Sequence, residues 1–550
     1  MPGRSKRAIF DFLACAIIIL FHFTNYVIYT EYDRIYPDIL IVAGGLCAIA
    51  VGLMLLLRAP SRLFRAAIFS VLVTFVLGDA LFEFGTKDDI SLRLVALSVT
   101  LVLALAVMFF LREHASLVLM GGFFAMFVAT VAVGLLAARG SDAIVPAHQA
   151  GRDGELPVVV HIILDEHTGL AGMSSGVPGG AAAAAASRRF YSDGGFRVFA
   201  GAYSQYFRTE ASLAGALNFE TTARADRFLT RKHYGFSLNK NAYLKAYADK
   251  GYRIRVYQSD YFDLCKSESI EIQDCAAYRP DFLARAAIAG LPATERARLL
   301  FGMYYSSIAV IKIAKLAGKL LSDRALAYGI KLPLPKLWHG RVGPLAVAPT
   351  VNRLIRDVSR STGGTVFFAH LLTPHYPYVY DRSCAVRTPI SAWRLRYDRN
   401  LKNSPDSRAL SYAQYFEQIG CVEKRLAELF AGLKRAGTYE RATIVIHGDH
   451  GARIALNDPD VATASELTPA DYMDAFSTLF AVKAPGVKPG IDFRMLPLAA
   501  LMSYAVDSNE DRLSTAPKPS VFIVGGNKGA DAIATPYPLP VFPGTTVHLR

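Results

Sequence analysis

Charged residues are sparse in roughly the first quarter of this 550-residue sequence, which is dominated by Leu, Ala, Val, Ile and Phe. So little charge excludes an ordinary soluble domain there. No internal repeat is apparent either. Charged residues, Pro and Tyr become frequent only after about residue 150. The composition therefore predicts a membrane segment followed by a soluble domain.

Five apolar runs in the first part are each close to the roughly 20 residues with which a helix crosses the hydrocarbon of a bilayer. These runs cover residues 8–29, 37–57, 64–84, 92–111 and 116–138. A cleaved signal peptide does not explain the first run, because that run is long, lacks a clear small-residue cleavage site and is followed by four more. We predict transmembrane helices within 1–140, a linker over 141–156, a soluble domain over 157–510 and its C-terminal tail over 511–550.

Basic residues concentrate on one side of the predicted helices, and the loops on the other side carry acidic residues. The basic residues are Arg4, Lys6, Arg7, Arg58, Arg62, Arg65 and Arg112. Because cytoplasmic loops are enriched in Lys and Arg, the N-terminus is predicted to be cytoplasmic. Five crossings would then place the soluble domain on the periplasmic side of a bacterial inner membrane.

Cysteine is also scarce, with six residues in all, and their spacings do not resemble a zinc ribbon. Two of them fall inside predicted helices. The other four are an even number in a compartment that permits disulfide bonds. The segment "DLCKSESIEIQDC" suggests a loop closed by Cys265 and Cys275, which leaves Cys384 and Cys421 as a second pair.

The formal net charge is +14. For a domain outside the cytoplasm, anionic lipid headgroups are a more natural partner than nucleic acid, although a basic solvated surface without a partner explains the charge equally well. The apolar and basic stretch 293–321 places Lys312, Lys315 and Lys319 on one helical face. That stretch either lies in the membrane interface or packs against the transmembrane helices or the domain.

Short β-rich segments alternate with longer helical stretches after residue 156. The segments are "LPVVVHIIL" (156–164), "RIRVYQ" (253–258), "TVFFAHLL" (365–372), "RATIVIHG" (441–448) and "STLFAVKA" (477–484), and 409–435 is among the helices. Alternation of this kind predicts an α/β domain with a largely parallel sheet. Ligands of such sheets bind beyond the C-terminal ends of the strands.

Polar clusters stand after three of these segments. They comprise Asp165, Glu166 and His167 after the first, His370 and His375 at the third, and His447, Asp449, His450 and Arg453 at the fourth. One His or Asp alone is more often a satisfied polar residue than a ligand. Three clusters at three strand ends, which the fold brings together, predict a site for a divalent metal such as zinc or manganese.

These residues resemble the alkaline phosphatase superfamily, specifically its membrane-anchored sulfatase-like branch, which includes the phosphoethanolamine transferases and the lipoteichoic acid synthases. "IILDE" (162–166) resembles the first metal-binding strand end, "IHGDHG" (446–451) resembles the Ser-Asp-His-Gly signature, and "HLLTPHYPY" (370–378) is similar to the histidine segment between them. The resemblance implies a five-helix transmembrane bundle and an α/β alkaline-phosphatase-like domain with a mostly parallel sheet.

The nucleophile predicted from the resemblance is a threonine. No Cys-x-Pro-Ser-Arg stretch of the true sulfatases occurs, and "AYSQYFRTEASLAGALNF" (202–219) carries Thr209 at the corresponding place. A metal lowers the pKa of a coordinated alcohol, and a helix that begins there adds N–H groups facing a phosphate. Capping of that helix is the structural alternative for Thr209, and Ser204 and Ser212 are rival nucleophiles.

The resemblance also implies the remaining roles. Asp165, Thr209, Asp449 and His450 would hold the principal metal, and Glu166 would join them or serve a second metal. His370 and His375 would stabilise phosphoryl oxygens or protonate the leaving group, and Arg453 would pair with phosphate oxygens.

The function expected from these residues is a phosphotransferase of the inner membrane. Thr209 would take a phosphoryl headgroup such as phosphoethanolamine from a membrane phospholipid and pass it to a lipid-linked or periplasmic glycan. A hydrolase with the same centre is the nearest alternative: a phosphodiesterase, phosphatase or sulfuric ester hydrolase. A noncatalytic membrane protein that keeps the fold for binding or assembly is another.

Overall fold

The computed structural model describes the chain in thirteen stretches, namely residues 4–29, 37–57, 61–83, 90–137, 156–232, 235–267, 270–279, 285–308, 311, 342–394, 404–454, 457–524 and 534–547. Contacts between residues divide the chain into two compact units. The first comprises Met1–His148 and Leu291–Arg341, and the second comprises Gln149–Gly290 and Val342–Arg550. The predicted soluble domain, 157–510, was continuous, whereas here the segment 291–341 belongs with the N-terminal helices.

The α-helices, in chain order, are α1 Arg4–Tyr29, α2 Pro37–Leu57, α3 Arg62–Glu83, α4 Ile90–Leu111, α5 Ala115–Ala137, α6 Gly180–Asp193, α7 Thr209–Ala216, α8 Ala242–Ala248, α9 Arg285–Ile288, α10 Ala293–Ser307, α11 Gly343–Ala346, α12 Ala348–Ser359, α13 Pro405–Arg435, α14 Pro469–Phe476, α15 Leu498–Asp507 and α16 Asp511–Ser514. The strands are β1 Val159–Leu164, β2 Arg197–Tyr203, β3 Leu229–Arg231, β4 Phe236–Leu238, β5 Arg253–Ser259, β6 Phe262–Asp263, β7 Asp274–Tyr278, β8 Thr365–Leu371, β9 Thr443–Gly448, β10 Phe480–Lys483, β11 Gly490–Pro497, β12 Ser520–Val524 and β13 Ala534–Pro538.

Helices α1 to α5 stand at the five apolar runs predicted from the sequence. Three described segments are long and apolar enough to cross a membrane: Ala8–Ile28, Pro37–Leu57 and Ala115–Ala132. The apolar part of α4, Val95–Leu111, is shorter, and α3 carries charges at both ends. A membrane protein is therefore supported, whereas a bundle of five spanning helices is not confirmed.

An ion pair connects three helices inside the first unit. The guanidinium of Arg65 on α3 donates to both carboxylate oxygens of Asp11 on α1, at 2.9 and 3.1 Å. The hydroxyl of Ser116 on α5 donates to the same carboxylate at 2.5 Å. Charged groups among apolar helices are costly unless they are paired, so this contact fixes which faces of α1, α3 and α5 meet.

Helix α10 packs against the N-terminal helices of the same unit. Its Arg296 forms an ion pair of 3.6 Å with Asp38 at the start of α2, and its Tyr304 hydroxyl lies 3.0 Å from His22 Nδ1 on α1. Of the placements predicted for 293–321, the structure supports packing against the membrane helices over the length of α10. The three predicted lysines, 312, 315 and 319, lie outside the described residues.

The second unit is built on an eight-stranded sheet with the order β11-β2-β10-β9-β1-β8-β5-β7. Only β10, among these described strands, runs antiparallel to its neighbours. The predicted largely parallel α/β sheet is therefore confirmed. Strand β1 is buried on both faces, as strands covered by helices on both sides are. The five β-rich segments predicted from the sequence became β1, β5, β8, β9 and β10.

Apolar layers cover both faces of the sheet. Val159 and Ile163 of β1 join the layer that includes residues of α7, α8 and α15, and Val160 and Ile162 join the layer that includes residues of α12 and α13. Both predicted disulfides are present, between Cys265 and Cys275 and between Cys384 and Cys421.

Candidate metal centre

Three adjacent strands bring the predicted ligands together. Strand β1 lies between β9 and β8 and is parallel to both, so the C-terminal ends of all three meet at one edge of the sheet. Ligand atoms of Asp165, His370 and Asp449 all lie within 4.8 Å of one another, and so do those of Asp165, Glu166 and His375. His370 was expected nearer the substrate but belongs to the first of these groups. It is the next-to-last residue of β8 and lies beside Ile163 near the end of β1.

Several polar atoms of the first group are buried without a hydrogen-bond partner among the described residues. They are Asp165 Oδ1, Asp449 Oδ2 and both ring nitrogens of His370. Buried polar atoms are normally paired, so carboxylate and imidazole atoms that lack a hydrogen bond and lie close to one another fit the ligands of a cation. Carboxylate oxygen and imidazole nitrogen are ligands of divalent zinc and manganese.

The pKa shifts of Asp165, Asp449 and His370 also fit a site for a cation. Burial, with the neighbouring carboxylates of Asp449 and Glu166, raises the pKa of Asp165 well above its usual range. Burial alone would also raise the pKa of Asp449, but His450 beside it lowers the pKa below the usual range. Burial lowers the pKa of His370 to about 4, so its imidazole is neutral and can act as a ligand. The residues therefore support a divalent metal.

Thr209 lies beside this group at the start of α7. Its Oγ1 is 3.3 Å from His450 Nε2, which in turn is 3.1 Å from Asp449 Oδ2. The N-cap residue of α7 is Arg208, whose side chain makes no capping hydrogen bond. Thr209 thus begins the helix as its first residue, and its hydroxyl faces the candidate ligands.

The rival nucleophiles point elsewhere. The Ser212 hydroxyl donates to the backbone oxygen of Asp449 at 2.5 Å and lies 2.7 Å from the Ser204 hydroxyl. Both serines are almost wholly buried. The Ser212 hydroxyl therefore holds the loop after β9, and the Ser204 hydroxyl bonds the backbone of Tyr206, donating to its carbonyl and accepting from its amide.

The carboxylate of Glu166 is paired with the guanidinium of Arg453. Arg453 donates to Glu166 Oε1 through Nε at 3.0 Å and through Nη2, and its Nη1 donates to the Phe207 carbonyl at 3.3 Å. His375 Nε2 lies 3.7 Å from the same carboxylate oxygen. Glu166 has a φ of 64°, a conformation that is uncommon for non-glycine residues and that often occurs at functional sites. The guanidinium of Arg453 thus faces Glu166.

His447 lies apart from the ligands, in a buried chain of hydrogen bonds. His447 Nδ1 is 2.6 Å from the Gly448 carbonyl, which can only accept, so this nitrogen carries the proton. His447 Nε2 then accepts from His161 Nε2 at 2.9 Å, and His161 Nδ1 accepts from the Tyr243 hydroxyl at 2.8 Å. This chain of hydrogen bonds ends at the Gly448 carbonyl, one residue before Asp449. His167, the third polar residue after β1, is directed to the Thr168 carbonyl.

Two residues of α13 near the site escaped prediction. The Tyr415 hydroxyl donates to the Glu166 carbonyl at 2.5 Å, and the Gln418 side chain bonds the backbone around His375. The only sequence signal would have been that both stand on the inward stripe of a helix, where apolar residues are the rule.

No family model matches this chain. Lipoteichoic acid synthase of Staphylococcus aureus (strain USA300) is 28% identical over 130 residues, which are 23% of this chain and 18% of the synthase. The match thus spans under a fifth of that relative's length.

Among solved structures, the C-terminal periplasmic domain of EptC from Escherichia coli covers 70% of this chain and 94% of that chain, with 14% identity and a TM-score of 0.38. Phosphonate monoester hydrolase of Agrobacterium radiobacter covers 68% of this chain and 81% of that chain, with 12% identity and a TM-score of 0.37. The synthase and the hydrolase are enzymes by name. The match to the synthase supports the predicted resemblance to sulfatase-like membrane proteins of the alkaline phosphatase superfamily.

Proposed function

We propose that this chain, as a sulfatase-like membrane protein of the alkaline phosphatase superfamily, is a metal-dependent phosphotransferase. It would work at the periplasmic face of a bacterial inner membrane, with its N-terminus in the cytoplasm. It would move a headgroup phosphoryl unit, such as phosphoethanolamine, from a phospholipid to a lipid-linked or periplasmic glycan. The observation that carries the proposal is the Thr209 hydroxyl 3.3 Å from His450, at the start of a helix and beside a group of unpaired ligand atoms.

The residues fit a divalent metal, and zinc is proposed first, with manganese as the alternative. Asp165, Asp449, His450 and Thr209 would hold it, and the position of His370 adds a fifth donor. A bound metal lowers the pKa of a coordinated alcohol and screens the charge of the phosphate. His450 Nδ1 lies 3.0 Å from the Gly451 carbonyl, to which it can donate, so Nε2 is the nitrogen that would bind the metal.

The transfer would take two steps in which Thr209 is first modified and then restored. In the first, Thr209 Oγ1 bonds to phosphorus, the bond from phosphorus to the glycerol oxygen breaks, and diacylglycerol leaves with a proton. In the second, a hydroxyl oxygen of the acceptor bonds to phosphorus and the bond to Thr209 breaks. The proton released by the acceptor restores the threonine hydroxyl.

His375 is proposed as the group that protonates the leaving oxygen. Its ring stands at the edge of the site, partly exposed, whereas His370 is fully buried. Arg453 was predicted to pair with phosphate oxygens. Because its guanidinium faces Glu166, we propose that it acts through that carboxylate and keeps Glu166 ionised beside His375.

The membrane helices support a lipid donor. Three described segments can cross a bilayer, so the chain stays at the surface from which the headgroup would be taken. Tethering raises the effective concentration of both reactants at that surface.

The test uses the full-length chain in vesicles that contain phosphatidylethanolamine with a labelled headgroup, with zinc and with chelator. Wild type should carry the labelled phosphoryl group on the peptide that contains Thr209. Thr209→Ser should retain some adduct, whereas Thr209→Val, which keeps the shape without the hydroxyl, should have none. An adduct in Thr209→Val, or no adduct in wild type with zinc or with manganese, would overturn the proposal.

Discharge of the adduct separates transfer from hydrolysis. A glycan acceptor should speed the loss of label and become labelled itself. Equal loss to water with and without acceptors would mean that the protein is a hydrolase and would refute transfer.

A further inference from the structure

The inward face of α13 carries a buried amide whose hydrogen-bonding capacity is completely used. Gln418 is fully buried. Its Nε2 donates to the carbonyls of Pro374 and His375 at 2.9 and 3.0 Å, and its Oε1 accepts from the amides of Val379 and Tyr380 at 2.8 and 3.1 Å. A glutamine side chain offers two donors and two acceptor sites, so all four are satisfied by one loop.

That loop makes few backbone hydrogen bonds of its own through residues 374 to 377. Pro374 and Pro377 lack N–H groups, and the loop between β8 and the next helix forms no regular strand through residues 374 to 377. The Gln418 amide bonds residues 374 and 375 at one end of this segment and 379 and 380 at the other, so it takes the place of the backbone hydrogen bonds that a strand would supply. The loop presents His375 to the site, so Gln418 fixes the backbone from which that imidazole projects.

Tyr415, three residues earlier on α13, holds the opposite loop. Its hydroxyl donates to the Glu166 carbonyl at 2.5 Å and accepts from the Thr168 amide at 2.8 Å. These bonds hold the backbone on each side of His167, next to the residue with a positive φ. Positions three apart on a helix lie on one face, so the two loops are fixed by neighbouring side chains of a single rigid element.

We propose that Tyr415 and Gln418 are positioning residues that set the distance between Glu166 and His375. Neither touches the candidate ligand atoms, and each acts through a backbone segment. The inference rests on the proposed function and adds Glu166 to the donors of the metal, beside Asp165 and oriented by His375, whose Nε2 lies 3.7 Å from its carboxylate. A packing role alone would stabilise the fold without changing the site.

Helix α13 supplies a matched control. Gln414 also bonds backbone of the long loop after β8, with Nε2 to the Ala392 carbonyl at 2.9 Å and Oε1 from the Arg394 amide at 3.0 Å. Those bonds hold Ala392 and Arg394, and the Arg394 carbonyl accepts from the Tyr378 amide at 2.9 Å. Gln414→Met therefore removes the same kind of contact from the same helix while the bonds of Gln418 and Tyr415 to the two loops stay in place.

The experiment compares wild type with Gln418→Met, Tyr415→Phe, their double variant and Gln414→Met, all as full-length protein in detergent. Zinc affinity is measured by titration of the metal-free protein, and amide hydrogen exchange is measured over 374–380. Gln418→Met and Tyr415→Phe should each weaken zinc about 10- to 100-fold, the range typical of residues that orient ligands. The double variant should lose less than the product of the two single losses, because both act on one pair.

Gln418→Met should also speed exchange over 374–380, whereas Gln414→Met should leave zinc affinity within about twofold of wild type. If Gln418→Met does not fold, Tyr415→Phe, which loses only a hydroxyl, decides the outcome by zinc affinity. Unchanged zinc affinity in both variants, or an equal loss in Gln414→Met, overturns the inference. If wild type binds zinc but never forms the Thr209 adduct, the phosphotransferase proposal fails and the positioning role still stands. Wild type without zinc affinity refutes the metal site, and unchanged exchange in Gln418→Met then refutes the positioning role separately.

Discussion

Replacing Asp165 with Asn should stabilise the metal-free protein although it removes a proposed ligand. Asp165 is buried, its Oδ1 has no hydrogen-bond partner among the described residues, and Asp449 lies beside it. An unsatisfied buried polar group costs about 1–3 kcal/mol, and an unpaired charge costs more. Asn keeps the shape and removes the charge, so we expect a gain of about 1–3 kcal/mol in the free energy of unfolding. At roughly 1–2 °C per kcal/mol for a unit as large as the second one, the midpoint of unfolding should rise by a few degrees.

The gain should depend on pH in a defined direction. Burial and the neighbouring carboxylates raise the pKa of Asp165 in the folded protein. For a carboxyl with a raised pKa, the folded state is favoured while the group is protonated and loses stability as pH rises through that pKa. The advantage of Asp165→Asn should therefore be largest at neutral pH and above, and it should shrink as the pH falls and the wild-type carboxyl takes up its proton.

Thermal unfolding of the detergent-solubilised chain, with chelator and with zinc, measures the effect. Zinc at about 100 times its dissociation constant should stabilise wild type by about 2.7 kcal/mol and Asp165→Asn by less, so the advantage of the variant should shrink in zinc. Asp263→Asn is the control, because Asp263 is paired with Lys232 and accepts from Gln258 at 3.1 Å. That variant should lose stability in both conditions. A lower midpoint for metal-free Asp165→Asn, or equal stabilisation of both proteins by zinc, would refute the cation-site interpretation.

Three further changes test other contacts of the fold. Asp11→Ala leaves the guanidinium of Arg65 without its carboxylate and should cost about 3–5 kcal/mol. The loss should be seen as a fall in monodisperse protein on heating in detergent. Leu at both positions should restore most of the lost stability. Ser at both Cys384 and Cys421 opens a link between residues 37 apart in sequence and should cost up to about 4 kcal/mol, visible as a lower midpoint that reductant lowers less than it lowers the wild-type midpoint, because only the bond between Cys265 and Cys275 is left to reduce. His161→Leu interrupts the buried chain from Tyr243 and should cost about 1–3 kcal/mol in chemical denaturation, and an unchanged midpoint would contradict the assigned hydrogen bonds.

The sequence predicted those parts of the molecule that depend on local pattern and on general rules of sheets. Parallel strands end at one edge of a sheet, so Asp165, His370 and Asp449 could be expected together before their contacts were known. The helix predicted over 409–435 is Pro405–Arg435 in the structure, because Ser404 caps it and Pro405 suits its first turn. Strand β2 was not predicted, since "RVFAGAY" contains small residues and a glycine that weaken the strand pattern.

Contacts between distant side chains could not be predicted in the same way. Nothing near Arg453 in sequence indicates that its guanidinium faces Glu166, 287 residues away. Gln418 looks like an ordinary polar residue of an amphipathic helix until the loop that it bonds is placed against it. The grouping of α10 with the N-terminal helices likewise depends on Arg296 and Tyr304 meeting residues more than 200 positions earlier.

Because the first unit takes up two separate stretches of chain, the polypeptide passes between the units three times, after His148, Gly290 and Arg341. A single proteolytic cut in the linker 141–156 would therefore separate the N-terminal helices covalently from the rest of the chain, which would then be held to them only by noncovalent contacts such as those of Arg296 and Tyr304 on α10. Shedding of the second unit alone would require either that 291–341 dissociate from those helices or that the chain also be cut on both sides of 291–341. For the same reason, a fragment that begins at residue 157 would carry α10 without the helices that cover it, and a soluble fragment should be designed with 291–341 removed.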